Sequence, residues 1–137
     1  MAEEAEQLAS RLTNVSMNCL AHADKDAEAY SRLQSTWKKD NGLSESELTD
    51  IKKHALDVPT ELVRICHGEC VAVMKFIPKC NPMIVSDAKV AIHLLAGAAR
   101  AAYQTVLVNS PSKELQEELV VMLEELGEYE KFVLKSS

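Results

Sequence analysis

The sequence predicts an all-α protein, a bundle of about five helices, and three observations carry that expectation. Apolar residues recur at spacings of three and four through most of the chain, the pattern that lines one face of a helix. Only four glycines and four prolines occur in 137 residues, too few to punctuate the short strands of a β protein. Apolar residues reach 47% while aromatics are 4%, so the core is built mainly from Leu, Val and Ala. Residues 1–137 read as a single domain, long enough to bury a real core.

The elements follow in order. Leu8, Leu12, Val15, Cys19, Ala23, Tyr30, Leu33 and Trp37 form the stripe of a long first helix. Lys38-Lys39-Asp40-Asn41-Gly42 ends it, with Asn-Gly as the stop. Ser44 followed by Glu47 is a capping-box pattern that opens a second helix through Ile51 and Leu56. Asp57-Val58-Pro59 interrupts the run; proline is tolerated in a first turn, so either a new helix starts there or one helix kinks. Leu62, Ile65, Cys66, Val73 and Ile77 carry the segment to Pro78, and Lys79-Cys80-Asn81-Pro82-Met83 reads as an irregular loop. Ser86 is the expected N-cap of the next helix, with Asp87 in its first turn against the macrodipole. That helix, residues 87–108, is the most apolar in the chain, and its composition predicts a buried, central position. Asn109-Ser110-Pro111-Ser112 breaks the chain, and Ser112 caps a last amphipathic helix through Leu115, Leu119, Met122, Leu126 and Tyr129.

Charge and composition exclude several classes of partner. A net charge of −6 argues against nucleic acid, whose binding depends on clustered cations releasing counterions. No unbroken apolar run approaches the roughly 20 residues of a membrane span, so no membrane partner is expected. The start, Met1-Ala2-Glu3-Glu4, lacks the features of a secretion signal, and a cytoplasmic location is expected. Cys19, Cys66, Cys70 and Cys80 are then free thiols. Cys66-His67-Gly68-Glu69-Cys70 is not a zinc knuckle, since no second ligand pair follows, and no metal is expected. His22 and His54 read as surface residues.

Asp26 is the most informative candidate. At about 100° per residue it falls close to the stripe set by Cys19, Ala23, Tyr30 and Leu33. A carboxylate on a core face must be paired, hydrogen-bonded or protonated, and desolvation there would raise its pKa, as proton transfer requires. The alternative is a buried acid satisfied by a neighbour such as Tyr30. Asp87 shares a face with Leu94, Ala98 and Ala101, although an ordinary first-turn acid explains it equally well. Lys89, His93, Arg100 and Gln104 form one polar stripe on the apolar helix. Solvent is the usual place for such a stripe; a cleft for an anionic ligand, such as a carboxylate tail, is the other reading.

Four segments resemble one family. Asp24-Lys25-Asp26-Ala27-Glu28-Ala29-Tyr30 is similar to the Asp-x-Asp-Ala-x-Ala-aromatic stretch of formiminotetrahydrofolate cyclodeaminases and methenyltetrahydrofolate cyclohydrolases. Val58-Pro59 resembles their Val-Pro, and Cys80-Asn81-Pro82-Met83-Ile84-Val85-Ser86-Asp87-Ala88-Lys89-Val90-Ala91 resembles their Gly-Asn-x-x-x-x-Ser-Asp-x-x-Val-Ala. Ala101-Ala102-Tyr103-Gln104-Thr105-Val106-Leu107-Val108-Asn109 resembles Gly-Ala-x-x-Asn-Val-x-Ile-Asn. Order and intervals agree over nearly the whole chain.

The resemblance implies a cyclodeaminase-like helical fold that forms a homodimer or higher homo-oligomer. It also implies a tetrahydrofolate derivative as substrate, and closure of a formimino group to methenyltetrahydrofolate with loss of ammonia. Asp26 takes the acid position, and Tyr30, Asn81, Ser86 and Asp87 are expected around the folate. Lys89, His93 and Arg100 join them if the polar stripe faces ligand. Departures from the pattern are Cys80 and Ala101 where the family has glycine, and Thr105 where it has asparagine. The family's opening Gly-Gly-x-Ser-Val helix has no counterpart, so the expectation is an N-terminally shortened domain. Two other readings remain: a catalytically inactive folate-binding or protein-interaction module of the same fold, and a generic helical adaptor using the acidic face of Glu117, Glu118, Glu124 and Glu125.

Overall fold

A computed structural model describes residues 2–136. Four α-helices make up the described residues: α1 (Ala2–Ser35), α2 (Glu45–Phe76), α3 (Val85–Val108) and α4 (Lys113–Lys135). Short 3-10 turns at Ile77–Lys79 and Pro82–Ile84 link α2 to α3. The all-helical bundle is as expected, with four helices where about five were predicted, because Pro59 does not divide the second segment. It sits inside α2, where its ring removes one backbone N–H without ending the helix. The next hydroxyl, Thr60 Oγ1, donates to the Leu56 carbonyl at 2.8 Å, and Lys53 pairs with Asp57 one turn apart on the outer side.

The caps explain most boundaries. α1 stops at Ser35, before Trp37, and the chain turns through Gly42 at φ +69°, a left-handed conformation that favours glycine. Asn41 braces that turn, its Nδ2 donating to the Thr36 carbonyl and its Oδ1 accepting from Leu43 N. Ser44 and Glu47 form the full capping box at the start of α2. Asn81 Oδ1 accepts from Met83 N at 3.0 Å and so caps the second 3-10 turn. Ser86, the expected cap of α3, is instead inside its first turn, because the 3-10 turn runs directly into the helix at Val85. Ser112 caps α4 as predicted, accepting from Leu115 N at 3.2 Å.

The core lies between α2, α3 and α4. Val63, Cys70, Ile92, Ala96, Ala99, Val106, Leu119 and Leu126 are fully enclosed there. Alanines at the α2–α3 contact let the two helix backbones approach closely. α3 is central but not buried all round: Leu94 is 70% exposed and Val108 79%. Its apolar composition is divided between an inner face and an open outer stripe. Residues Pro82–Val108 therefore match a membrane span in length and composition, beyond what the absence of an unbroken run suggests. In this fold His93 and Arg100 of that stretch bond to Glu130 of α4, and Lys89 to the carbonyl of Ser136 just beyond it. α1 packs chiefly on α2, and its only buried residues are His22 and Ala29.

Candidate functional site

Because α1 leans on α2 and diverges from α3, a cleft of about 510 Å³ opens between the three helices. That volume lies within the range of small-molecule sites. Val58, Pro59, Leu62 and Cys66 of α2 form its floor, Ala98, Ala101 and Thr105 of α3 one wall, and Cys19, His22 and Asp26 of α1 the other. The small residues on α3 keep the cleft open. Its lining is mainly apolar, which suits a flat heterocycle, and its ionisable polar groups are the Asp26 carboxylate and the His22 imidazole. No Lys or Arg lines it.

Asp26 lies on the stripe that its spacing assigns, one turn beyond His22 and before Ala29. It is exposed, however, where the sequence predicts burial. The reason is that α1 has no third helix packed over this sector, so the carboxylate borders open cleft. Tyr30 does not seal Asp26 by a hydrogen bond; its ring is 55% exposed and meets Trp37 edge to face, with centroids 6.3 Å apart. Tyr30 and Asp26 together border a smaller recess with Thr105 and Asn109.

His22 is the residue that sequence reasoning missed. It is 6% exposed, not a surface residue, and its ring lines the cleft. Nε2 is sealed from solvent and makes no hydrogen bond, although Glu61 Oε2 of α2 lies 3.2 Å away, off the line of the ring N–H. The signal for it is the spacing: His22 stands three residues after Cys19 and four before Asp26, on the same arc.

The remaining candidates lie elsewhere. Lys89 and Ser86 line a larger groove of about 820 Å³ between the 3-10 turns and the ends of α3 and α4. Lys89 Nζ is engaged there, donating to the Ser136 carbonyl at 2.7 Å. Asn81 is used in its cap, and Asp87 is exposed in the first turn of α3. Sixteen residues separate Lys89 from Thr105, about 24 Å along the helix, so this groove and the Asp26 cleft are distinct. The smaller cleft is the better candidate, since it joins an open apolar recess to the Asp26 and His22 side chains, neither of which is hydrogen-bonded among the described residues.

The polar stripe of α3 is divided: Lys89 borders the larger groove, Gln104 is exposed, and the half-exposed Arg100 and His93 are engaged by α4. Arg100 binds Glu130 of α4 through two nitrogens at 2.6 and 3.0 Å, and His93 Nδ1 lies 3.1 Å from the same carboxylate. Arg100, and with it His93, holds the Glu130 carboxyl below the usual carboxylate range. A second seam joins α2 to α4: Arg64 pairs with Glu118, His67 lies 2.8 Å from Glu125, and Tyr129 donates to Glu125. Burial, reinforced by Glu125, pushes the Tyr129 phenol up to about 12. The acidic face of α4 is thus partly a docking face for its own bundle. Burial also pushes the Cys66 thiol up to about 11 and the Cys70 thiol up to about 12. No group of three or more His, Cys, Asp or Glu side chains is arranged to hold a metal among the described residues.

A sequence profile of the formiminotransferase-cyclodeaminase family matches residues 1–126 of this chain. The match spans α1 to α3 and more than half of α4, and the chain belongs to that family. No curated protein matches it.

Proposed function

We propose that this member of the formiminotransferase-cyclodeaminase family binds a reduced folate in the α1–α2–α3 cleft. There it closes 5-formiminotetrahydrofolate to 5,10-methenyltetrahydrofolate with release of ammonia. The observation that supports this most directly is the position of Asp26 on an apolar cleft of ligand size, beside Ala101 and Thr105. Three of the segments that resemble the family thereby meet at one place. The apolar floor suits a pterin ring. With no cation on the lining, the carboxylate tail extends out of the cleft.

The chemistry needs two proton movements. N10 attacks the formimino carbon and loses its proton, and the amino nitrogen must be protonated before it departs as ammonia. Asp26, as the carboxylic acid, supplies the second proton to the leaving nitrogen. General acid catalysis of this kind contributes about 10²–10⁴-fold.

A second reading, a folate-binding module without turnover, is favoured by the exposure of Asp26, which leaves its carboxylate hydrated in the open cleft. Calorimetric titration with 5-formyltetrahydrofolate, paired with a turnover assay on wild type and Asp26→Asn, separates the two. Micromolar binding with turnover lost in the variant supports the enzyme, and binding without turnover supports the module. Absence of binding at millimolar folate refutes both. A homodimer in the cytoplasm accompanies the proposal, and the open apolar residues Leu94 and Val108 on α3 are consistent with self-association. Sedimentation equilibrium at micromolar concentration tests it, and a monomer there would count against the dimer.

A further inference from the structure

We infer that His22 is the proton acceptor of the cleft, held for that task by Glu61; the inference rests on the folate reading above. Three observations converge on it. The imidazole is buried yet borders the cleft, one helical turn from Asp26 on the same face of α1. Its Nε2 is sealed with no hydrogen bond, a costly state for a polar atom in an apolar wall. The Glu61 carboxylate lies 3.2 Å from that nitrogen on a side chain that is 61% exposed and free to turn into line.

Once the Glu61 carboxylate turns into line with Nε2 it fixes the proton there and leaves the lone pair on Nδ1, because the bond made by one ring nitrogen sets the state of the other. Because the ring lines the cleft, Nδ1 is then the nitrogen offered to a molecule bound there. Carboxylate, imidazole and reacting group then follow the same logic as in hydrolase triads, where the acid orients the base and stabilises the imidazolium. The other titratable groups about the ring are Asp26 and Cys19 on α1 and Cys66 on α2, while α3 contributes only neutral side chains.

The steps balance as follows. The N10 lone pair forms the bond to the carbon of the formimino group, whose terminal nitrogen is protonated, and the C=N electrons move to that nitrogen as an amine. Nδ1 of His22 takes the N10 proton. Asp26 then protonates the amine, the N5 lone pair forms the new C=N bond, and ammonia departs. Imidazolium and carboxylate remain, and proton exchange with solvent restores both. Two groups on one helix face thus divide the two transfers, so neither has to act as acid and base in one turnover.

The test reads the ring directly. Long-range 1H–15N spectra of the wild-type protein, with His22 assigned from a His22→Gln sample, should show the Nε2–H tautomer. Glu61→Gln should weaken that preference, and 5-formyltetrahydrofolate should shift Nδ1. In turnover, His22→Gln should lose about 10²–10⁴-fold in kcat with the folate dissociation constant within about threefold of wild type. An Nδ1–H tautomer in the wild type overturns the inference even if the variant fails to fold. A variant that turns over within about threefold of wild type also overturns it. Wild-type binding without turnover overturns the proton role and leaves the binding reading standing. If the wild type shows no folate binding at all, the failure lies with the folate reading itself.

Discussion

The pairing of Arg100 with Glu130 decides what the polar stripe of α3 is for, and it can be measured. If the stripe is a structural seam, Glu130→Gln destabilises the fold; if it awaits an anionic ligand, Arg100→Gln weakens binding and leaves stability nearly unchanged. Glu130 accepts three charge-assisted contacts within 3.1 Å, and its side chain is only 18% exposed. Hydrogen bonds to charged groups contribute about 1.5–3 kcal/mol when well enclosed. Arg100 is 47% exposed, so solvent screening reduces its share, and about 1–2 kcal/mol is the expected loss for Glu130→Gln. For a chain of this length that is a fall in Tm of roughly 3–8 °C.

Urea unfolding of both single variants and the double variant gives the coupling directly, expected at about 1 kcal/mol. The pH dependence carries a sign as well. Glu130 has a depressed carboxyl pKa in the folded protein, so its contribution is present above the unfolded carboxylate pKa and is lost as pH falls through the folded value. Glu130→Gln should therefore narrow the stability gap between neutral and acid conditions. A coupling below about 0.3 kcal/mol, with unaltered acid sensitivity, would refute the seam.

Other perturbations test other parts of the structure. Leu126→Ala empties a fully buried position between helices and should cost about 2–5 kcal/mol in urea unfolding, while an effect below 1 kcal/mol would mean the core is packed otherwise. Ser44→Ala removes one half of the capping box and should cost about 1 kcal/mol, with Ser44→Gly closer to wild type. In a thiol-reagent assay on the native protein at pH 8, the part-exposed Cys19 and Cys80 should react first. Cys66 and Cys70, buried and pushed up to about 11 and about 12, should react only on unfolding. Thr105→Asn restores an amide on the cleft wall and should tighten folate binding by about 2–10-fold, the worth of one hydrogen bond; weaker binding would mean the added bulk fills the cleft.

Local features were legible in the sequence, and relations between helices were not. The caps at Ser44 and Ser112 depend on a few neighbouring residues, and each appears where its pattern puts it, whereas α1 stops at Ser35, ahead of the Asn41-Gly42 turn expected to end it. Pro59 shows the first limit. Whether a proline divides a helix depends on the packing of its flanks, and here Val58 and Pro59 are both buried against the cleft floor. Lys89, His93 and Arg100 show the second. Their shared face was readable, but their partner Glu130 stands on α4 and Ser136 just after it, and periodicity on one helix carries no information about another. His22 and Asp26 show the third, as one arc of α1 holds both. The histidine is buried and the carboxylate exposed, because α2 covers only part of that arc.

The exposure of Asp26 bears on how the proposed reaction would be driven. A carboxylate already buried in the empty protein would cost stability throughout its life, with no ligand to offset that cost. On an open apolar cleft the desolvation arrives with the substrate instead. A flat ring laid on Val58, Pro59 and Leu62 displaces the water that solvates Asp26 and places the carboxyl against an apolar face. That change favours its protonated form, the one an acid needs. Under this arrangement affinity for the pterin and the strength of the acid are linked through one surface. Enlarging the floor with Leu62→Ala should then lower kcat as well as weaken binding, although residue 62 carries no chemistry. A variant that lost affinity at constant kcat would separate the two and show that Asp26 draws its protonation from something other than the ring it faces.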